Sequence, residues 1–391
     1  MSSITLGDMV ERRVQTIDSH FEGTIRYIDI SSVDSKLKKI ISTTTMDFSE
    51  APSRAKQLVK QGDIRVSTVR PNLNAVAVVD IDSNEVLVAS TGFTVLRVLD
   101  GYSHEFLFQY CQSPAFIDYL VSCATGASYP AVNSTIIRSC LLSDYSYTKQ
   151  IEISDVLGTV SALISMYREA ENQLNGLIKS RFVEMFGDPE TNRMGWRVVD
   201  LGKVLTTSPQ NGLYKPQKCY SNDGSGVPIV RIDSFREAGP DVRALRRLEC
   251  SQDEVERYGL RAGDVLINRV NSPGNMGKTM GVYDLSEPVV FESNMMRMHP
   301  DETVVATRFL VTYMTTPYGK RHFESHAKKA VNQASINQGD VASLPVMLPP
   351  LELQQDYLTF VHQVDKSRFA VQRAIEQLET LKASLMQEYF G

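Results

Sequence analysis

Residues 177–187 read LIKSRFVEMFG, and residues 381–391 read LKASLMQEYFG, 204 positions later. Three more pairs of similar segments follow the same order at nearly the same offset: 25–32 with 229–236, 59–81 with 260–285, and 106–114 with 309–317. Self-similarity at a fixed offset indicates that one structural unit occurs twice. The sequence therefore predicts an internal pseudo-two-fold repeat.

Each half changes its pattern along the chain. The first part has short β-branched runs broken by Gly, Pro, Asn and Asp, which are typical of strands and tight turns. Examples are residues 76–79, 86–88 and 94–98 in the first half, and 227–232 and 265–267 in the second. The second part has apolar residues spaced by four and three, which is the heptad pattern of a coiled coil.

The heptad positions match between the halves. They are Val156, Val160, Leu163, Tyr167, Ala170, Leu174 and Leu177 in the first half, and Phe360, Val364, Ser367, Val371, Ala374, Leu378 and Leu381 in the second. One such helix can equally lie on its own domain, but two helices with matching seams favour packing against each other. An antiparallel pair would act as a ruler of about 30 Å, because an α-helix rises 1.5 Å per residue.

Together these patterns predict a mixed α/β protein of the α+β kind. Two globular domains are joined by long antiparallel coiled-coil helices, and the whole chain has an internal pseudo-two-fold repeat. The predicted boundaries are 1–148 for the first domain, 149–187 for the first helix, 188–350 for the second domain and 351–391 for the second helix.

Composition limits the class of protein. The 391 residues are 42% apolar and 22% charged, with a formal net charge of −5, which is ordinary for a soluble chain with more than one core. Neither an export leader nor a membrane span is expected. The five cysteines, Cys111, Cys123, Cys140, Cys219 and Cys250, form no Cys-x-x-Cys pair and predict neither disulfides nor a zinc site. A negative chain would bind DNA only through local basic patches.

Several motifs resemble those of the specificity subunit of Type I restriction-modification enzymes, and the resemblance covers the whole chain. They are WRVVDLG at 196–202, the Gly-Asp turns at 62–63 and 263–264, SNMMR at 293–297 and, above all, NQASINQGDVASLPVMLPPLELQQ at 332–355. The first half departs from this pattern, because 127–150 lacks the Pro-Pro pair and no tryptophan opens the first domain. The resemblance implies that the two domains are target recognition domains and the helices are spacers.

The resemblance also implies a role and partners. The chain would read a split, asymmetric double-stranded DNA site without catalysing a reaction. Two modification subunits would methylate adenine, and two restriction subunits would complete a nuclease. No cofactor would bind to this chain, since S-adenosylmethionine, ATP and Mg²⁺ would belong to the partners. The protein would be cytoplasmic and would have no membrane partner.

Arg, Lys, Asn and Gln side chains are the groups that read base edges and hold phosphates. The repeated turn supplies Arg70, Asn72 and Asn74 in the first half, and Arg269, Asn271, Asn275 and Lys278 in the second. A second cluster supplies Ser128, Tyr129 and Asn133 in the first half, and Lys328, Lys329, Asn332, Gln333, Ser335 and Asn337 in the second. We predict that these residues contact DNA, although Asn and Pro can also simply shape a loop.

Other motifs predict no catalytic or metal site. Residues 274–279 (GNMGKT) resemble the end of a phosphate-binding loop, but Ser272 stands where that motif needs glycine. His322 and His326 are one helical turn apart and have no carboxylate or cysteine at ligand spacing. Arg243, Arg246 and Arg247 are expected to anchor phosphates, and Arg54 and Lys56 could do the same in the first half.

Two other functions fit parts of this pattern. One is a coiled-coil scaffold that binds proteins and whose loops read no sequence. The other is a specificity chain that serves a solitary methyltransferase or a methylation-based phage defence without nuclease. Sequence-independent DNA binding would favour the first, and the absence of a neighbouring restriction-subunit gene would favour the second.

Overall fold

Side chains at matched positions make the same contacts in the two halves of the chain. The structure is a computed structural model that describes residues 2–221, 223–235, 239–271, 276–329 and 333–391. The Tyr110 hydroxyl donates a hydrogen bond to the carbonyl of Leu141 at 2.9 Å. The Tyr313 hydroxyl donates to the carbonyl of Pro345 at 2.8 Å. The predicted duplication and the mixed α/β fold class are confirmed.

The chain divides into two units, one formed by Met1–Arg168 with Arg373–Gly391 and the other by Glu169–Gln372. Each unit therefore contains one strand-rich domain and a part of both long helices, α4 (Tyr147–Phe186) and α9 (Leu351–Phe390). None of the helices within the described ranges is long and apolar enough to cross a membrane.

Unit 1 contains short strands followed by short helices. The strands are β1 (Ser3–Thr5), β2 (Thr24–Ile28), β3 (Val33–Asp34), β4 (Lys39–Ile40), β5 (Thr44–Asp47), β6 (Ala55–Leu58), β7 (Ile64–Ser67), β8 (Val76–Val78), β9 (Val86–Ser90), β10 (Phe93–Leu96) and β11 (Leu141–Ser143). The helices are α1 (His104–Tyr110), α2 (Pro114–Cys123) and α3 (Ser134–Arg138). The strands pair in the orders β5-β2-β9-β6, β10-β7-β8, β1-β11 and β3-β4.

Unit 2 also combines short strands and short helices, with helices placed between its strands. Its strands are β12 (Arg197–Asp200), β13 (Leu205–Asn211), β14 (Val227–Val230), β15 (Arg246–Leu248), β16 (Val265–Asn268), β17 (Val270–Asn271), β18 (Thr279–Gly281), β19 (Val290–Phe291), β20 (Met295–Pro300), β21 (Lys328–Lys329), β22 (Ala334–Ser335) and β23 (Pro345–Leu348). Its helices are α5 (Gln252–Tyr258), α6 (Thr307–Thr315), α7 (Pro317–His326) and α8 (Gln338–Ala342). The strands pair in the orders β13-β20-β16-β18, β15-β14-β19, β17-β22-β21 and β12-β23.

The repeated Phe-Gly ends of the long helices explain why residues 177–187 and 381–391 are similar. The Phe186 ring lies 4.8 Å from the Phe309 ring of α6 in unit 2. The Phe390 ring lies 5.3 Å from the Phe106 ring of α1 in unit 1. Both phenylalanines belong to, or pack against, the main apolar core of their unit, so the C-terminal end of each helix anchors one unit.

The long helices pack antiparallel. In unit 2 the contacts joining them are Gln372 to Glu171 at 2.7 Å, Arg368 to Asn175 at 3.1 Å and the Tyr357 hydroxyl to the Ile178 carbonyl at 3.4 Å. Residue numbers rise along α4 as they fall along α9, which defines the direction. In unit 1, Arg168 and Glu379 form an ion pair of 2.6 Å between the same two helices.

The predicted seam coincides only in part with the buried positions of the long helices. Five of its residues, Val156, Leu163, Tyr167, Leu177 and Leu381, are 37–47% exposed. The buried positions are Gln150, Ile153, Ser154, Leu157, Val160 and Ile164 on α4 in unit 1, Ile178, Phe182 and Phe186 on α4 in unit 2, and Gln354, Tyr357, Val361, Val364, Arg368, Ile375 and Met386 on α9. Val160 and Val364 lie in both sets. The two sets differ because the buried positions include polar residues as well as apolar ones.

A glutamine in the first turns of each long helix explains part of that polar burial. The Gln150 carbonyl oxygen accepts from the Ser103 backbone NH at 2.9 Å, and the Gln354 oxygen accepts from the Ala306 NH at 2.9 Å. The amide nitrogens donate to backbone carbonyls just before each helix, Tyr145 at 2.8 Å for Gln150 and Pro349 at 2.9 Å for Gln354. Each glutamine thus ties the helix start to the start of a domain helix.

Candidate nucleic-acid interface

The two predicted clusters of unit 2 meet in one small sheet. Strand β17 pairs antiparallel with β22, so that Val270 faces Ser335 and Asn271 faces Ala334. Strand β21 pairs with the other edge of β22 and places Lys328 opposite Ser335. The sequence treated 269–278 and 328–337 as separate candidates, and the backbone brings them together.

The predicted side chains of unit 2 differ in exposure. Lys278, Lys328, Gln333 and Asn337 are exposed, whereas Arg269, Asn271 and Ser335 are half-buried. Asn275, Asn332 and the side chain of Lys329 lie outside the described residues. The exposed members combine two ammonium groups with two amides, and such groups can contact phosphates and base edges.

Arg269 is held by the segment between β19 and β20. Its backbone NH donates to the carbonyl of Asn294 at 2.9 Å, and its guanidinium Nη1 donates to the carbonyl of Ser293 at 3.2 Å. Its own carbonyl accepts from the NH of Ile336 at 3.0 Å. The arginine is thereby fixed between the two predicted clusters, and such fixing lowers the entropy lost when a side chain binds a ligand.

A polar cavity of about 340 Å³ opens beside this arginine. Asn211, Arg269, Asn337, Gln338 and Gly339 line it. Its donors and acceptors are of the types that pair with guanine and adenine edges. Asn337 uses its side-chain oxygen to cap α8, accepting from the Asp340 NH at 3.1 Å, which leaves its NH₂ group to face a ligand.

The segment 211–214 was missed by the sequence analysis. Tyr214 is 79% exposed and follows Leu213, whose carbonyl accepts from the Ser293 NH at 3.0 Å. A Cβ on Gly212 would lie 2.4 Å from the carbonyl oxygens of Phe291 and Glu292, so only glycine permits this close approach. The turn-rich GLYKP run at 212–216 is a signal that could have indicated an exposed aromatic loop.

In unit 1, the predicted clusters also meet. Val69 and Ala131 form an antiparallel bridge, and the Arg70 NH donates to the carbonyl of Pro130 at 2.7 Å. The Arg70 guanidinium lies 4.6 Å from the centre of the Tyr129 ring. Tyr129 is 67% exposed, so the pair presents a cation stacked on an aromatic face to solvent.

The remaining predicted residues of unit 1 divide into two kinds. Asn72, Ser128 and Asn133 are exposed, and the Asn133 oxygen caps α3 by accepting from the Ile136 NH at 2.9 Å, as Asn337 does in unit 2. Asn74, by contrast, is only 6% exposed.

The expectation that Asn74 contacts DNA does not fit its surroundings. Its amide nitrogen donates to the Cys111 carbonyl at 2.8 Å, and its oxygen accepts from the Lys38 ammonium at 2.6 Å. A buried amide with partners at both ends would lose these bonds if it turned outward. Asn74 therefore shapes the loop, which is the alternative that the sequence left open.

The other basic residues make internal contacts to different degrees. Arg247 pairs with Glu287 and donates to the Gly226 carbonyl, and Arg54 pairs with Asp29 at 2.8 Å. The Arg246 guanidinium lies 5.4 Å from the Tyr220 ring. Arg243 and Lys56 are exposed. Because carboxylates already pair with Arg54 and Arg247, these two arginines offer less positive charge to a phosphate.

Within the described part of the chain, no three His, Cys, Asp or Glu side chains are grouped so as to hold a metal ion. The rings of His322 and His326 lie 4.2 Å apart, and a ring nitrogen of His322 lies 3.1 Å from the Asp340 carbonyl oxygen. Partial burial lowers the pKa of His322. His322 thus joins α7 to α8, while His326 bonds to the His322 carbonyl within α7.

Comparisons with known proteins found similar sequences and a similar fold. Residues 194–380 match the family described as Type I restriction modification DNA specificity domain. The putative type I restriction enzyme MjaX specificity subunit of Methanocaldococcus jannaschii is 29% identical over 196 residues, 50% of this chain and 45% of that protein. The StySPI specificity subunit of Salmonella potsdam is 25% identical over 202 residues, 50% and 43% of the two chains. The alignments thus cover less than half the length of these relatives.

A solved structure has the same fold along the whole chain. It comes from work described as the structural basis of complex assembly and conformational transition of the type I R-M system. The TM-score is 0.58 at 24% identity, with 100% of this chain and 97% of the other covered. At this identity the similarity establishes the fold alone.

Proposed function

We propose that the chain is a specificity subunit of the type I restriction-modification kind, whose DNA specificity domain model matches residues 194–380, and that it reads a bipartite, asymmetric DNA site. Each unit reads one half-site. The chain catalyses nothing itself and directs adenine methylation or cleavage by partner subunits.

One observation carries this proposal. In both units, two loops far apart in sequence are joined by backbone pairing, Val69 with Ala131 in unit 1 and Val270 with Ser335 in unit 2. Around each pairing, cationic and amide side chains reach solvent. A pure scaffold has no need to concentrate these residue types at the same place twice, whereas a base-reading surface does.

The two surfaces offer different chemistry. Unit 1 presents Arg70 stacked on Tyr129, while unit 2 presents Arg269 beside a cavity lined by Asn211 and Gln338. Identical surfaces on a two-fold frame would read a palindrome. Different surfaces on matched frames support the reading of two unlike half-sites.

Although the net charge of the chain is −5, the candidate interface of unit 2 carries exposed positive charges. Lys278 and Lys328 are exposed in unit 2, and neither forms an ion pair within the described residues. Lysines of this kind release counterions when they contact phosphates, which gives affinity without sequence preference. Replacing Lys328 by Ala should weaken binding to all DNA alike and flatten the salt dependence.

The partners follow from the family and from the helices. Two modification subunits dock on the helical region, two restriction subunits complete the nuclease, and S-adenosylmethionine, ATP and Mg²⁺ bind to those partners. Val156, Leu163, Met166 and Tyr167 on α4 of unit 1 are exposed. A stripe of exposed apolar side chains on a helix is typical of a protein contact, so we assign it to a modification subunit. The assembly acts in the cytoplasm.

The test uses the full chain assembled with its modification subunits. Arg70→Ala and Arg269→Ala are compared in competition binding against duplexes altered in one half-site at a time. Each variant should lose about tenfold or more of the discrimination at one half-site, because a bidentate contact to a base contributes about 1–3 kcal/mol.

Each variant serves as the control for the other, since the two arginines lie in different units. Equal loss at both half-sites, or binding that ignores sequence altogether, would refute the proposal and favour a scaffold.

A further inference from the structure

Lys38 stands in a tight turn that is not part of either predicted cluster. It lies between β3 and β4, and its φ of +56° is in the left-handed region. The Asp34 carboxylate shapes this turn by accepting from the NH groups of Lys36 and Leu37, each at 2.8 Å. A left-handed lysine costs about 1–2 kcal/mol, so the rest of the structure must hold the turn in place.

The Lys38 ammonium reaches the end of the loop that carries Arg70 and Asn72. It donates to the backbone carbonyl of Asn74 and to the Asn74 side-chain oxygen, both at 2.6 Å. Asn74 has a φ of +46°. Its carbonyl also accepts from the Val76 NH at 3.0 Å, so it is the buried side-chain oxygen that depends on the Lys38 ammonium. Charge-assisted bonds of this length are among the stronger ones in proteins.

The contacts of Asn74 transmit this restraint to the reading residues. The Asn74 NH donates to the Pro71 carbonyl at 3.0 Å, and the Leu73 NH donates to the Arg70 carbonyl at 2.9 Å. These bonds close a turn whose two ends are Arg70 and Asn74. A change at Asn74 therefore changes the direction in which Arg70 and Asn72 point.

We propose that Lys38 is a positioning residue for DNA reading by unit 1, which holds the loop 70–74 in its reading conformation through Asn74. The inference rests on the proposed function. It assigns to Lys38 a role in how well unit 1 discriminates between sequences at its own half-site, and none at the other half-site. Lys38 touches no base.

The surroundings of Lys38 make this restraint sensitive to pH. Burial and the nearby cation of Lys382, on α9, lower its pKa to about 8, against the opposing effect of Asp34. Burial and the charge of Arg168 lower the pKa of Lys382 in turn. The ammonium is therefore charged at pH 7 and largely neutral at pH 9, where its bonds to Asn74 weaken to those of an amine.

The Cys111 thiol does not titrate in this range. Burial raises the pKa of the Cys111 thiol, next to Asn74, far above pH 9. Arg168, whose charge acts on Lys382, is paired with Glu379 at 2.6 Å. The pH dependence expected between pH 7 and 9 is therefore that of Lys38, whose pKa is about 8.

The experiment measures half-site discrimination in the full complex, once the target site is mapped. Lys38→Met should reduce discrimination at the half-site of unit 1 about tenfold, the effect of losing a hydrogen bond from a charged donor. Discrimination at the other half-site, measured on the same protein, should not change. Wild-type discrimination at the first half-site should fall between pH 7 and 9, and Lys38→Arg should abolish that dependence.

Three results would overturn the inference. Unchanged discrimination in Lys38→Met would do so, as would an equal loss at both half-sites with a lowered Tm, which indicates a structural role only. A wild-type pH dependence that persists in Lys38→Arg would show that another group titrates. If Arg70→Ala also leaves the first half-site unaffected, the proposed function itself has failed, and the two failures are thereby distinguished.

Discussion

Replacing Arg65 by Leu should stabilise unit 1. Arg65 is fully buried in β7, between Val95 of β10 and Ala77 of β8. Its guanidinium lies 5.1 Å from the Phe93 ring, and none of its three nitrogens has a hydrogen-bond partner within the described residues. A buried charge without such partners is costly.

The size of the effect follows from the pKa. Burial lowers the pKa of Arg65 from its ordinary 12.5 to about 10, despite the opposing charge of Asp63. Each pH unit corresponds to about 1.4 kcal/mol, so the burial costs about 3 kcal/mol. The matched position in the second half is Leu266, which is fully buried in an apolar core. Allowing for the smaller volume of leucine, we expect a gain of about 1–3 kcal/mol.

The assay is urea unfolding of the full chain at pH 7, with Arg138→Leu as a matched control. The Arg138 guanidinium donates to the Glu11 carbonyl at 2.7 Å and to the Val95 carbonyl at 3.3 Å, so its removal should destabilise the same unit. If Arg65→Leu destabilises as much as Arg138→Leu, the guanidinium of Arg65 is compensated and the reasoning is wrong.

The pH dependence has a definite sign. Folding lowers the pKa of Arg65 to about 10 from its ordinary 12.5. Between pH 10 and 12.5, the unfolded chain therefore binds more protons at Arg65 than the folded chain does. The stability of the wild-type chain relative to Arg65→Leu should therefore rise above pH 10. A constant difference up to pH 11 would contradict the assigned cause.

The remaining predictions concern the long helices. Gln354→Ala should lower the free energy of unfolding by about 2 kcal/mol, because it removes buried bonds at both ends of the amide; a denaturation curve would show it. Asp365→Ala should cost about 2 kcal/mol, since Arg308 and Arg368 lose a carboxylate at 3.1 and 2.7 Å, and Asp365→Glu should recover part of it. Deleting seven residues within 163–170 should change the gap that is tolerated between the two half-sites. Methylation of a series of DNA duplexes that differ in the length of this gap would measure it, and an unchanged gap would contradict the idea that the helices act as a ruler.

The fold could be predicted to a large extent because the chain carries the same information twice. Repeated segments such as 177–187 and 381–391 gave the duplication, and β-branched runs and heptads gave the element types. The exact buried face of the helices could not be predicted from apolar spacing. Gln150, Gln354 and Arg368 occupy buried positions through specific hydrogen bonds, which a hydrophobic pattern does not reveal.

The candidate site was predictable in composition but not in detail. Residue types indicated the loops around Arg70 and Arg269, and the structure places each loop against its second cluster. The local sequence could not distinguish the buried Asn74 from the exposed Asn72, since that difference depends on Lys38 in a distant turn. Tyr214 was missed because the prediction rested on Arg, Lys, Asn and Gln side chains, and the turn signal at residues 212–216 was not used.

The central claim is that the two units read two different half-sites. Mapping methylated adenines in DNA from cells that carry the chain with its modification subunits tests it most directly. The account predicts one motif with two unlike specific parts separated by a fixed gap, and Arg269→Ala should relax only one of the parts. A palindromic or uninterrupted motif, or relaxation of both parts by this one substitution, would contradict it.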